Sequence, residues 1–328
     1  MEILRRLRID PFVMAIMVAV VVAAFLPAAG GAADALSWIT KIGIAVLFFL
    51  YGARLERREM VMGLKHWRLH SVVLAFTFVL FPVFGLLGKW ALTPLIGATL
   101  AAGFLFMTLV PSTVQSSITF VSIARGHVGA AVVSASMSNL LGVAVTPLLV
   151  LALMTTNGSV HISAESIVEI VLMLLLPFIV GQALRNRVLP ITAKISRIDL
   201  FDKTVIVLVV YAAFSEGVVD GVWSMIGISE LVWLTVACCV LLAVVLGLTE
   251  LTARLLGFDV RDKRVVQFCG SKKSLATGLP MAAVLFAGQP VGMLVLPLML
   301  FHQIQLIVCA WLAARYGREE SAAAPAAT

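Results

Sequence analysis

Two adjacent lysines, Lys272 and Lys273, stand inside an otherwise apolar run, in the stretch Gln267-Phe268-Cys269-Gly270-Ser271-Lys272-Lys273-Ser274. An ammonium at such a place is costly to desolvate, so it is retained where it binds an anion, titrates or pairs with another group. A second polar cluster, Gln115, Ser116, Ser117 and Thr119, follows Val110-Pro111-Ser112 in another apolar run. Its amides and hydroxyls can coordinate an ion or bridge helices. Ser136, Ser138 and Asn139 form a third set. Glu250 has two readings, a partner for the lysines or an i,i+4 pair with Arg254. His302, Gln303 and Gln305 are polar in an apolar run and read first as hydrogen-bonded packing. Cys238, Cys239, Cys269 and Cys309 have no metal-ligand spacing. No phosphate loop, dinucleotide fingerprint, zinc motif or nucleophile elbow occurs, so neither an enzyme nor a cofactor is expected.

The elements that must position these groups are transmembrane helices. Of 328 residues, 61% are hydrophobic and 12% charged, with a mean hydropathy of +1.08. Soluble proteins carry about 25% charged residues. The chain therefore reads as an all-α polytopic membrane protein with the lipid bilayer as its partner. Runs long enough to cross, about 20 residues each, fall at 11–28, 36–54, 69–88, 93–125, 127–153, 166–185, 203–219, 229–256, 262–287 and 290–314. The net charge of +7 could suggest nucleic acid, but the positions of the charges answer otherwise. With the N-terminus cytoplasmic and the sides alternating, 20 of the 24 lysines and arginines lie on the cytoplasmic side and only Lys89 outside. Lys41, Lys272 and Lys273 fall within spans, and Lys41 is close enough to the outer end to snorkel. This asymmetry orients the protein in the inner membrane with both termini cytoplasmic, and no nucleic acid is needed to explain it. Arg5-Arg6 and the following apolar run also resemble a signal peptide. The internal symmetry argues for an uncleaved first helix.

That symmetry is carried by two interrupted spans. The fourth is broken at Val110-Pro111-Ser112, and the ninth carries its polar cluster at Gln267–Ser274. Broken helices at corresponding places in two halves mark transporter binding sites, because freed backbone groups persist at membrane depth only around a cavity or a bound ion. Thr146-Pro147 and Leu296-Pro297 also correspond. Residues 1–155 and 165–315 then form two five-helix repeats, inverted because five is odd, with 316–328 as a disordered tail.

On Leu109–Ser117, Cys269–Gly278 and the turn Ala124-Arg125-Gly126-His127-Val128, the chain resembles the bile acid/sodium symporter superfamily, in the subgroup related to the sodium/bile acid cotransporter 7 branch. The resemblance runs from about residue 10 to 315. It implies ten helices, with a panel domain (helices 1, 2, 6, 7) and a core domain (helices 3–5, 8–10). Helices 4 and 9 unwind where they cross, and alternating access moves an organic anion. The superfamily's sodium ligands map only in part, onto Ser116, Ser117, the region of Ser136, Ser138 and Asn139, Thr77, and Gln267 with Ser271. The sodium-site carboxylate is thus an amide here, and lysines follow it. A unit charge 4 Å from a cation contributes roughly 4 kcal/mol at an effective dielectric of about 20. Sodium coupling is therefore not expected unless a lysine is neutral, and H+ is the other candidate coupling ion. Helix N-termini at the breaks would reinforce the lysines toward an anion. The expected function is a secondary transporter of a small organic anion. The alternative implied by the same branch is a membrane regulator of calcium homeostasis that carries no solute. A channel is disfavoured, since no selectivity ring is visible.

Overall fold

The computed structural model describes residues 11–54, 66–155, 171–192, 198–221, 223 and 226–323. The loop lysines and arginines at 5–8, 57–65 and 194–197, the start of the sixth span, the junction between the two halves and residues 324–328 lie outside them. The described residues are helical, with no strand among them. In chain order the helices are α1 Pro11–Phe25, α2 Gly31–Arg54, α3 Trp67–Leu109, α4 Gln115–Ile123 and α5 Val128–Val150. Then follow α6 Leu176–Ala183, α7 Arg185–Thr192, α8 Ile198–Val219, α9 Ile228–Leu255, α10 Val260–Gly270, α11 Leu275–Leu285 and α12 Val291–Ala323.

Among them, five helices are long and apolar enough to cross a membrane, or six if the pair Leu172–Ala183 and Arg185–Thr192, bent by 88°, is one span. The longest, α3, has 43 residues, about 65 Å of straight helix and twice what a bilayer needs. It doubles back. Gly97 has φ 78 and ψ 162 inside it, a conformation open to glycine but not to L side chains. On either side of this turn, Gly85 meets Thr108 and Leu105, and Gly88 meets the ring of Phe104. Residues 67–96 and 98–109 are therefore the two arms of a helical hairpin; the sequence runs part at 89–92, which is helix here, and the turn falls later, at Gly97.

The chain divides into two compact units, and neither is one of the two sequence halves. The first comprises 1–55, 162–227 and 279–293. Within it α2 packs on α6 and α8, and α1 packs on α8. Gly52 and Gly181 lie against the carbonyls of Phe178 and Phe49, so small residues bring α2 and α6 to backbone contact. Arg54 pairs with Asp202 at one end of α2. The second unit comprises 56–161, 228–278 and 294–328. There α9 packs on α3 and α10, and α10 also packs on α4 and α5. Phe81 and Phe301 meet edge to face, with centroids 6.1 Å apart.

The tail expected from residue 316 begins as helix, because α12 continues to Ala323. Alanine, glutamate and arginine favour helix on their own, and Arg315 pairs with Glu319 one turn on.

Candidate functional site

Both helix breaks fall in the second unit, and every contact described here lies within it. The first break, 110–114, separates α3 from α4, and the second, 271–274, separates α10 from α11. Each leaves a helix C-terminus with carbonyls that have no partner of their own. Where those carbonyls find donors defines the site.

The orphaning starts from specific residues. In the π turn Phe76–Leu80 of α3, the Phe81 N–H donates to Phe76 O, so Thr77 O loses the donor an α-helix would give it. The next candidate is Pro82, which has no N–H. Thr108 O loses its helical donor because Ser112 N–H donates to Ser138 Oγ, at 3.0 Å. Val110 is already extended (ψ 155). Lys273 Nζ answers all three, donating to Thr77 O at 2.9 Å, Thr108 O at 2.7 Å and Val110 O at 2.8 Å. Three carbonyl acceptors use all three protons of an ammonium. Its charge faces the negative end of the second arm of α3, and the Phe81 ring lies 4.2 Å away.

Other donors complete the set. Leu109 O accepts from Thr146 Oγ1 (2.9 Å), Pro111 O from Ser274 N (2.8 Å) and Ser112 O from Asn139 Nδ2 (2.7 Å). On the second break, Cys269 O accepts from Ser112 Oγ (2.7 Å) and Phe268 O from Ser117 Oγ (3.2 Å). Thr277 Oγ1 donates to Asn139 Oδ1 at 2.7 Å. The two breaks thus cap each other, and α5 ties them together. Gly142 of α5 lets Pro111 seat on it; a Cβ there would lie 2.6 Å from Pro111 Cβ.

Lys273 is held by its backbone as well. Gln305 Oε1 accepts from Lys273 N at 2.9 Å, and Gln305 Nε2 donates to Lys273 O at 2.8 Å and to His302 Nδ1 at 2.8 Å. Lys272, 0% exposed like Lys273, has a different setting. Its Nζ makes no hydrogen bond among the described residues. It sits 3.6 Å from the centroid of the Phe120 ring and 5.9 Å from that of Phe268.

The sequence-level set is brought together only in part. Thr77, Ser117, Ser138, Asn139, Lys273 and Ser274 meet at the crossing, and Ser116 reaches it through Thr113, with the two hydroxyls 2.7 Å apart. Gln267 and Ser271 are buried, and Gln267 Nε2 reaches Leu246 O at 3.4 Å. Gln115 and Thr119 are exposed and bond to each other along one face of α4; on a helix, positions 115 and 119 lie opposite the face that carries Ser117. Ser136 is half-buried, and Ser134, one turn N-terminal to Ser138, is the hydroxyl that meets His70, at 2.7 Å. Glu250 pairs with Arg254 at 2.7 Å, the i,i+4 alternative, and no carboxylate contacts either lysine among the described residues. Ser112, Thr108, Thr146 and Gln305 carry more of the crossing than their sequence signal suggested. The signal for Thr77 O was the proline five residues on.

The oxygens gathered here do not fit a sodium ion, since an ammonium already occupies the centre of the three carbonyls. No cluster of metal-binding side chains occurs among the described residues.

Residues 10–318 match the model of the SBF-like CPA transporter family. The chain is similar to the Pseudomonas aeruginosa protein PA2026, 52% identical over 97% of this chain and 96% of that one. It is 46% identical to the YfeH protein of Escherichia coli, over 95% and 94%. It is 28% identical to sodium/bile acid cotransporter 7 of Xenopus tropicalis, over 94% and 92%.

Proposed function

The chain belongs to the SBF-like CPA transporter family, and from that premise we propose that it is a secondary transporter of a small organic solute, working by alternating access in the inner membrane. With α3 taken as two spans, α4 joined to its second arm, and α6 with α7 and α10 with α11 each taken as one broken span, the described helices give ten crossings. That supports two inverted five-helix repeats with both termini cytoplasmic.

The observation that carries the mechanism is the Lys273 ammonium at the crossing. Three carbonyls freed by a π turn and a helix break form an oxygen nest, and a cation tethered to the chain fills it. A relative bears the name of a sodium cotransporter; in this chain we read Lys273 as standing where a coupling cation would bind. A free Na+ added beside it would meet roughly 4 kcal/mol of repulsion at 4 Å. Transport then proceeds without sodium, downhill or coupled to protons.

An organic anion was expected from the family resemblance, from the lysine pair and from the helix N-termini at the breaks. Both ammonium heads instead point inside the unit, one onto carbonyls and one onto aromatic rings. We therefore separate the substrate's charge from these lysines.

Uptake into proteoliposomes that hold the purified chain tests the reading. Taurocholate, butyrate and choline, supplied with and without a sodium gradient, should include a solute taken up equally in both conditions. Strict sodium dependence would overturn the tethered-cation mechanism. Deletion that alters cellular calcium entry, with no flux of any solute in vesicles, would put the regulator in place of the transporter.

A further inference from the structure

Three of the four histidines among the described residues gather with one carboxylate in the second unit. His127, in the turn between α4 and α5, brings Nδ1 to 3.2 Å from Asp262 Oδ1 in the first turn of α10. The His127 N–H donates to Arg261 O at 3.3 Å. Gly126 seats against α10 as well, where a Cβ would lie 2.8 Å from Arg264 Cβ. The His66 ring meets that of His127 edge to face, with centroids 5.6 Å apart. His70, one turn into α3, is 3% exposed, and its Nδ1 lies 2.7 Å from Ser134 Oγ of α5.

The position of this cluster gives it leverage. From the first break α4 runs to this turn, and from Asp262 α10 runs to the second break. The contact is thus a clasp between the two broken spans, at the ends away from their breaks. The other charged groups nearby are engaged elsewhere or face out. Arg68 turns to Leu256 O and the Phe258 ring, Arg264 to the Tyr316 ring and Arg254 to Glu250. Asp259 caps α10, Arg125 and Arg261 are exposed, and Lys263 is half-buried. The charged groups that act on His70 are His66, His127 and Asp262. A buried histidine bonded to a serine is ordinary packing when it stands alone. Here it adjoins a pair whose histidine side chain is 46% exposed, and histidine changes charge between about pH 5 and 8.

We propose that His66, His70, His127 and Asp262 form a proton-binding site whose protonation opens the clasp between the α4–α5 turn and α10. An imidazolium at His70 would be buried with a hydroxyl, not a carboxylate, at Nδ1. A second one at His66 or His127 would repel it. Such charge is costly inside the unit, and the cost is relieved when the turn leaves α10 and water enters. The attraction of a charged His127 for Asp262 opposes this, but an exposed ion pair contributes little. The clasp is therefore closed above the histidine range and opens as pH falls through it. Proton binding stands on the cluster alone; that it sets the rate of transport rests on the transporter reading above.

Amide hydrogen exchange of the purified full-length chain, corrected for the intrinsic effect of pH, reads the clasp in peptides covering 124–130 and 259–264. One proton taken up on opening changes the opening equilibrium by up to about tenfold per pH unit. Exchange there should be about tenfold faster at about pH 5.5 than at about pH 7.5. His70→Asn, whose amide can keep the bond to Ser134, should exchange slowly at both. Asp262→Asn weakens the clasp and should respond at higher pH than the parent. Exchange that ignores pH, acceleration spread evenly over the whole unit, or a response unchanged in both variants would each overturn the proposal. A pH response in exchange with no solute flux in proteoliposomes at any pH would leave the proton site standing and sink the transporter reading. Solute flux that ignores pH, with no response in exchange, would do the reverse.

Discussion

Lys272 and Lys273 differ by one position and are equally buried, yet one sits among carbonyls and the other against rings. Around Lys273, every proton of the ammonium has an oxygen within 2.9 Å, and Gln305 fixes the backbone on both sides of the peptide group. Around Lys272, the face of Phe120 lies 3.6 Å from the ammonium and attracts a cation through its quadrupole without taking up a proton. The chain direction at the break produces this split, since successive side chains of a non-helical segment leave on different sides. One lysine therefore holds the crossing together, and the other places an unbonded charge beside it. A bonded ammonium is costly to remove, because its absence strands three carbonyls. An unbonded one is costly to keep, and its removal strands nothing.

The largest expected effect follows from the first half of that contrast. Lys273→Met leaves Thr77 O, Thr108 O and Val110 O without donors at membrane depth. A buried acceptor left without its donor is destabilising by about 1–3 kcal/mol, and three are stranded here. Thermal unfolding in detergent should register that loss, and uptake should fall with it. The sharper form is Lys273→Ala with added propylammonium, which can re-enter the nest and recover part of the lost midpoint. Lys272→Ala should show no such recovery. If propylammonium restores both variants equally, or neither, the distinction between the two sites is broken.

A smaller effect is expected at Gln305. Gln305→Leu keeps the volume but removes two bonds to the Lys273 peptide group, each worth about 1 kcal/mol. The midpoint should drop by less than in Lys273→Met, and addition of the two changes should fall short of their sum because they act on one network. Strict additivity in that double variant would show that Gln305 does not act through Lys273.

How far this was legible in the sequence depends on the kind of group involved. The apolar runs, the two breaks and the lysines were plain, because hydropathy and charge are properties of single residues. The sequence separated the third and fourth runs at 89–92, but those residues are helix and the chain folds back at Gly97, a glycine that was not singled out. What the sequence hid was the destination of backbone carbonyls. Thr77 was chosen for its hydroxyl, yet its contribution is its carbonyl, released by a π turn and by Pro82. Gln305 was set aside as packing because nothing local shows that its amide meets a peptide group 32 residues away in the chain. Gln115 and Thr119 were included because they sit beside the break, but each is two residues, about half a turn, from Ser117 and so lies on the opposite face.

The smallest expected effect tests the second half of the contrast. Replacing Lys272 by methionine removes a buried charge with no hydrogen bond and supplies an apolar side chain of similar length to the space beside Phe120 and Phe268. Substitution of buried charges by well-packed apolar groups is often neutral or stabilising, so Lys272→Met should unfold at the same temperature as the parent or higher. The attraction to the ring is isolated by a double-mutant cycle with Phe120→Leu, for which a coupling of about 0.5–2 kcal/mol is expected. Such a value would show that Phe120 is what holds the charge in place. A coupling near zero, together with a loss of stability in Lys272→Met as large as that in Lys273→Met, would mean that Lys272 has oxygen partners after all. In that event the two lysines would do the same work. A stable Lys272→Met variant that has lost uptake would instead assign the unbonded ammonium to transport itself, as a charge free to change partners when the crossing moves.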